Sequence, residues 1–391
     1  MFKIQTLNKI SAVGLERLPL DSYEVASEFA EPDAVVVRSA KMHDMEMPDT
    51  LKAIARAGAG YNNIPVPTCT ERGIVVFNTP GANANGVKEL VVAGMLLSSR
   101  GIGQGINWAK TLIGNGDEVP KLIEKGKSNF AGPELQGKTL GVIGLGAIGM
   151  LVANAAEAMG MRVIGFDPYI SIDSAWHLSY SVEKAISLDS LLSESDYISL
   201  HIPLTDETKC FFCKDRFNVM KDGIRIMNFA RGGLVDKTDL FEAMETGKVA
   251  AFVTDFPDED LLKNEKVVCI PHLGASTPES EANCAVMAVD QVRDYLENGN
   301  IRNSVNFPEA IMPRAGKTRL IIANKDIPKM VGNITSVLAE EDINISGMLN
   351  KNRDEIAYNI IDVDSGISQE QADKIRNMDG VIMVRVLPGI E

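Results

Sequence analysis

Short apolar runs alternate with longer amphipathic stretches along most of the chain. "DAVVVRSA" (33–40) reads as a buried strand ending at Arg38, and "LKAIARAGAGYNNI" (51–64) as a strand running into a glycine-rich loop. "GIVVFNTP" (73–80) reads as a strand stopped by Pro80, and "GVKELVVAGMLLSSRGI" (86–102) as a helix with one apolar face. Strands written as continuous Val/Ile runs are buried on both faces. Alternating with helices, they predict a parallel sheet covered on both sides.

The alternation restarts near residue 138. "KTLGVIGLGAIGMLVANAAEAMGMRVIGFDP" reads strand, glycine turn, helix, strand, and further apolar runs follow at "YISLHIP", "IRIMNFARG", "VAAFVTDFP" and "KVVCIPH". "SEANCAVMAVDQVRDYLENGN" (280–300) reads as a helix, and "FPEAIMPRAGKT" (307–318), with two prolines and a glycine, as a linker. From 319 the order is βαββαβ, a ferredoxin-like arrangement. The expected class is α/β: two Rossmann-like or flavodoxin-like parallel-sheet domains and a C-terminal βαββαβ domain. The boundaries expected are 1–98 with 286–308, 99–285, and 319–391.

"GLGAIG" sets Gly144, Gly146 and Gly149 in a G-x-G-x-x-G frame between a strand and a helix, and Asp167 ends the next strand 18 residues after Gly149. Glycines let the backbone turn and approach a pyrophosphate, and the helix N-terminus offers it free N–H groups. Asp167 would accept hydrogen bonds from ribose hydroxyls and repel a 2′-phosphate, which favours NAD over NADP.

Three charged residues sit at or near strand ends of this second unit: Arg231 after "IRIMNFA", Glu259 after "VAAFVTDF", and His272 after "VVCIP". Ligands of open α/β sheets bind beyond the carboxyl ends of the strands. Arginine suits a two-pronged hold on a carboxylate. Histidine suits a base working near neutral pH, and a carboxylate beside it would orient the ring and favour its charged form. The three therefore fit oxidation of a 2-hydroxy acid. Asp258 and Asp260 flank Glu259 and remain alternatives to it. His201, at the end of "YISLH", is either a nicotinamide-pocket residue or a packing residue.

The formal net charge of −14 argues against a general nucleic-acid or anionic-membrane binder. It leaves room for a small anion held by local arginines. Arg38 with Ser39, and Arg56 before the Gly58-Ala59-Gly60 loop, are candidates for that hold. No stretch has 18 uninterrupted apolar residues, and "MFKIQTLNKI" lacks the apolar core of a signal peptide. Five cysteines, an odd number, suggest reduced thiols and a cytoplasmic setting. Cys210 and Cys213 form one CxxC without a second pair, so no metal site is expected.

These segments resemble the D-isomer-specific 2-hydroxyacid dehydrogenases, and within them the branch that acts on 3-phosphoglycerate and carries a C-terminal ACT domain. "VVVRSA", "ARAGAGYNNI", "VFNTPGANANGVKEL", "LQGKTLGVIGLGAIG", "NFARGGLVD", "TDFP" and "PHLGAST" carry the resemblance. It implies Arg231, Glu259 and His272 as the catalytic set. It implies cofactor contacts at Ala147, Ile148, Ile202, Pro203, Phe229, Ala230, Asp255, Gly274 and Ala275, and a substrate contact at Asn85. The reaction implied is NAD-dependent oxidation of 3-phosphoglycerate to 3-phosphohydroxypyruvate by a homodimer or homotetramer. The resemblance also implies L-serine binding at the tail, where Asn324 and Asn344 are the candidates. Where relatives often read "DVFxxEP" this chain reads "TDFPDEDLL", and where amino-acid-binding tails often read Pro-Gly it reads Pro328-Lys329. A D-lactate or glyoxylate dehydrogenase, or an NAD-sensing scaffold without turnover, are the other readings.

Overall fold

The computed structural model describes residues 1–389 and divides them into two compact units, 1–82 with 281–389 and 83–280. The chain crosses between units at 82/83 and 280/281, not at the expected 98/99 and 285/286. The C-terminal segment, expected to stand alone, groups with the first unit.

In the first unit, β1 (Phe2–Leu7), β2 (Tyr23–Ala26), β3 (Ala34–Val37), β4 (Ala53–Arg56) and β5 (Val75–Phe77) form a parallel sheet in the order β2-β1-β3-β4-β5. This is the flavodoxin-like order, whose switch point lies between β1 and β3. The pattern did not predict β1 or β2, because only Ile4 and Tyr23 on them are buried and no apolar run marks them. Four strands of the same unit, β13 (Thr318–Lys325), β14 (Ile345–Arg353), β15 (Ile356–Val363) and β16 (Val381–Pro388), form an antiparallel sheet ordered β14-β15-β13-β16. Helices Met330–Glu340 and Gln369–Arg376 complete the expected βαββαβ.

Strand β13 shows why this tail is not separate. Side chains alternate faces along a strand. Leu320 and Ile322 pack with Ile334 and Leu338 of its own helix, while Ile321 and Ala323 pack into a core shared with Ile4, Val36, Phe77 and the long helix Pro278–Asn298. Both faces are buried, so the tail is docked. Arg319 pins the linker before it: its guanidinium is fully buried, pairs with both oxygens of Asp362 at 2.6 and 2.8 Å, and donates to the carbonyls of Asn298, Met312 and Pro313.

The second unit is a seven-stranded parallel sheet: β6 (Thr139–Ile143), β7 (Arg162–Phe166), β8 (Glu183–Lys184), β9 (Tyr197–Leu200), β10 (Ile224–Asn228), β11 (Val249–Thr254) and β12 (Val267–Cys269). The order β12-β11-β10-β9-β6-β7-β8 is doubly wound and reverses between β6 and β9. Its two cores, one on each side, are built wholly from residues of this unit.

Candidate active site

The glycine turn follows β6, and His201 follows β9, so both flank the reversal of strand order. Gly144 has φ +89°, and a Cβ there would lie 2.6 Å from the His201 carbonyl oxygen. A Cβ on Gly149 would lie 1.9 Å from the Gly144 carbonyl oxygen, so glycine lets the helix Ala147–Ala158 start against the strand. Gly146 differs: a Cβ there meets nothing within 4 Å. Among the described residues no side chain caps this helix, so the first-turn N–H groups at Ala147 and Ile148 stand uncapped. An anion fits that position. Asp167 accepts the Leu145 N–H on Oδ2 and the Tyr169 N–H on Oδ1, both at 2.8 Å, which ties the turn to the end of β7. One lone pair on each oxygen remains for a ribose hydroxyl. Turn, helix and acid together fit a dinucleotide.

His201 is a packing residue at the floor of this turn. Its Nε2 lies 2.8 Å from Ser199 Oγ, and burial pushes its pKa down to about 3, so the ring is neutral. Ile202 packs beside it under Gly144, and Pro203 is exposed. Phe229 is buried in the core against Gly94 and Val253 rather than facing a cofactor.

Arg231, Asp255 and His272 follow β10, β11 and β12 at the same edge of the sheet. The turn at Arg231 is braced by buried Asn228, whose Oδ1 accepts the N–H groups of Ala230 and Arg231 and whose Nδ2 donates to the Arg231 carbonyl. The Arg231 side chain is exposed and bonds only its neighbour's carbonyl, at 2.7 Å, among the described residues. The His272 ring packs edge-on against Phe256, centroids 4.9 Å apart. Small residues follow His272 because that segment lies on the helix Ala84–Ser99: a Cβ on Gly274 would sit 2.8 Å from Val87. Ala275 is half-buried beside it.

The expected acid faces solvent. Glu259 begins the short helix Glu259–Lys263, its side chain is 84% exposed, and it pairs with Lys263 at 2.8 Å. Asp258 caps that helix and pairs with Lys237 at 2.6 Å, and Asp260 pairs with the same lysine at 3.2 Å. A helix that starts at "DED" points these acids into solvent. Asp255 is instead 3% exposed, and its Oδ1 has no hydrogen-bond partner among the described residues. Burial raises its pKa, and the charges of His272 and Arg231 oppose that rise. Asp255 is thus the buried carboxylate on which the charges of His272 and Arg231 act.

In the first unit, Arg38 and the 57–60 loop follow β3 and β4. Asn8, after β1, accepts the N–H groups of Ser39 and Ala40 at 3.0 and 2.7 Å. Gly58 has φ +148°, and its N–H donates to buried Thr79 at 2.7 Å; the Ala59 carbonyl accepts from Asn78, and Gly60 follows half-buried. Arg38 pairs with Glu281 at 2.8 Å. Arg56 donates to the Arg38 carbonyl, and among the described residues no carboxylate pairs with it. Burial lowers its pKa, partly offset by Cys284, and the Arg38 charge lowers it further. A half-buried guanidinium beside a like charge favours an incoming anion. Asn85 lies in the other unit, bonded to Glu89.

On the tail, Asn324 is not available to a ligand. It is buried, its Oδ1 accepts from Asn359 and its Nδ2 donates to Lys325, because it points into the sheet. Asn344 is exposed and bonds Asp364. Lys329 takes φ +75°, a left-handed value that favours glycine. Sequence reasoning missed Asn8, Thr79, Asn228 and Ser199; each sits within two residues of a strand end and braces backbone or ring, and only that position signals it. Among the described residues no cluster of His, Cys, Asp or Glu is arranged for a metal, and no helix is long and apolar enough to cross a membrane.

A doubly wound sheet with an uncapped glycine turn at its reversal, and Arg, Asp and His at neighbouring strand ends, is the layout of a nucleotide-dependent dehydrogenase domain. Residues 92–274 match the D-isomer specific 2-hydroxyacid dehydrogenase NAD binding domain. The D-3-phosphoglycerate dehydrogenase of Methanocaldococcus jannaschii is 34% identical over 382 residues, 95% of this chain and 67% of that protein. The enzyme of the same name from Archaeoglobus fulgidus is 38% identical over 298 residues, 73% of this chain and 53% of that protein. The chain belongs to the D-isomer-specific 2-hydroxyacid dehydrogenase family. It spans between about half and two-thirds of the length of these two relatives. The NAD+-bound 3-phosphoglycerate dehydrogenase structure from Entamoeba histolytica matches with a TM-score of 0.58 and 28% identity, over 78% of this chain and 98% of that one.

Proposed function

We propose that this chain oxidises 3-phospho-D-glycerate to 3-phosphohydroxypyruvate with NAD, the opening reaction of phosphorylated serine synthesis, in the cytoplasm. The observation that carries the reading is the trio at the strand ends of the second unit, where the charges of His272 and Arg231 offset the effect of burial on Asp255. Arg231 binds the substrate carboxylate with its free guanidinium edge. The His272 imidazole takes the hydroxyl proton, and Asp255 stabilises the imidazolium that results. NAD, when bound, supplies the hydride acceptor. Gly144, Gly146, Ala147, Ile148 and Asp167 would hold it. Arg56, with Arg38 and the 57–60 loop, supports a phosphorylated substrate, since a second anionic group needs its own cation.

The test is NADH consumption with 3-phosphohydroxypyruvate, glyoxylate and pyruvate. The phosphorylated acid should be preferred, and His272→Asn should lower kcat by about 10²–10⁴-fold, the usual share of a general acid–base. Equal rates in His272→Asn would end this mechanism; preference for glyoxylate or pyruvate would reassign the substrate; no turnover with a bound cofactor would favour a sensing scaffold. Asp255→Asn should lower kcat, because the imidazolium formed at His272 loses a buried carboxylate neighbour, and Glu259→Gln should leave kcat in place; the reverse result would return the role to Glu259. A homodimer or homotetramer is part of the proposal, read by light scattering. So is L-serine binding near Asn344, which calorimetric titration without heat would reject.

A further inference from the structure

Arg38 and Arg56 stand at neighbouring strand ends of the first unit, but they are held in different ways. Arg56 is fixed. Its Nε donates to the Arg38 carbonyl at 3.1 Å, and its guanidinium lies against Gly58, where a Cβ would come within 1.8 Å of Nη1. The Arg38 side chain has one partner among the described residues, the carboxylate of Glu281 at 2.8 Å, and the two side chains are 38% and 45% exposed.

Glu281 comes from the opening turns of the long helix Pro278–Asn298. Cys284 follows three residues later, on the same face of that helix, and it is buried and acts electrostatically on Arg56. One helix face therefore addresses both arginines. The charges do not match a phosphorylated ligand as they stand. Two guanidiniums against one carboxylate leave a single positive charge, whereas a phosphomonoester brings nearly two negative charges at neutral pH. The arginines balance it only if Glu281 gives up Arg38. An incoming carboxylate would exchange like for like on Arg38. A phosphoryl group replaces one charge with about two, and its three oxygens can engage Arg56 as well.

We propose that Glu281 is the internal counter-ion of the phosphate-binding arginine: it holds Arg38 until substrate arrives, and the phosphoryl group displaces it. This rests on the reading of Arg38 and Arg56 as the phosphate hold. Glu281 is then a positioning residue that acts through Arg38, and it makes the site respond to a phosphoryl dianion rather than to a carboxylate. A half-exposed ion pair is worth up to about fivefold in an equilibrium constant, which a dianion overcomes.

The experiment is calorimetric titration of the full chain with 3-phosphoglycerate in the presence of NADH, a mixture that cannot react because both partners are already reduced. Glu281→Gln keeps the shape of a half-exposed side chain and should tighten binding by about two- to fivefold, because no pair has to be broken. A glutamate that merely supports the fold would give weaker binding or no change. Asp290, which pairs with Arg17, lies nine residues on, two and a half turns, and so on the opposite side of the helix. Asp290→Asn makes the same change in net charge and should leave the affinity in place. Arg38→Ala should weaken binding at least tenfold. A crystal structure of the complex should show Arg38 on the phosphate and Glu281 beyond about 4 Å from it, the reach of an ion pair. Unchanged or weaker binding in Glu281→Gln, equal tightening in Asp290→Asn, or an Arg38–Glu281 pair intact beside the bound phosphate overturns the displacement and leaves the phosphate reading standing. No binding by the parent, or binding that Arg38→Ala leaves intact, overturns the phosphate reading and this proposal with it.

Discussion

His201 and Gly146 show how single residues at the glycine turn do opposite work. His201 is neutral in the fold, with a pKa near 3, while the unfolded chain protonates it near the ordinary histidine value. The unfolded state therefore binds the extra proton in acid, and stability falls as the pH drops below about 6.5. Between pH 7 and pH 5 the loss should be about 2 kcal/mol, readable in urea midpoints, and His201→Gln should flatten that slope. A flat wild-type profile over this range would show that the ring is not buried. Gly146→Ala meets open space and should leave the melting temperature unchanged, yet its methyl projects where a pyrophosphate would rest. NADH affinity should fall about tenfold or more, roughly 1.4 kcal/mol. Gly149→Ala should instead damage folding, because its methyl collides with the Gly144 carbonyl. The glycine frame and Asp167 were legible because each needs a residue type that little else explains. The acid partner proposed above was not, because "DFPDED" supplies four carboxylates within six residues and burial alone separates Asp255 from the rest.

Element by element, strand ends carried the site and were easy to find where an apolar run stops at a charge, as at Arg38 and Arg231. They were harder to find where the run is absent, and β1 with its bracing Asn8 went unseen for that reason. The C-terminal sheet makes a related point. Its βαββαβ order is written plainly in the periodicity, but the burial of both faces of β13 depends on residues more than 200 positions upstream, such as Ile4 and Phe77, which no local pattern reports. The Arg319–Asp362 pair sits inside that junction. Arg319→Met should cost about 3–5 kcal/mol, since it strands a buried carboxylate. Adding Asp362→Leu should recover much of the loss. Chemical denaturation of the single and double variants checks both, and an Arg319→Met protein as stable as the parent would mean the pair contributes nothing.

On the scale of the whole molecule, the borders expected from the sequence differ from the crossings at 82/83 and 280/281 between the two compact units, because a chain that leaves one unit and later returns gives no compositional mark at either crossing. The cores do mark it. Every residue in the two clusters of 83–280 comes from that stretch, whereas the largest cluster of the other unit draws on both 1–82 and 284–387. The fragment 83–280 should therefore melt cooperatively when expressed alone, and 1–82 should not; circular dichroism against temperature decides each case. The two ends of 83–280 also lie side by side, since a Cβ on Gly86 would come within 3.0 Å of the Ser280 hydroxyl. A segment whose start and finish are neighbours is a cassette. It can be lifted out, closed on itself with a few residues and reopened at a surface turn, or carried as a block into another host gene, without any strand of its sheet being cut.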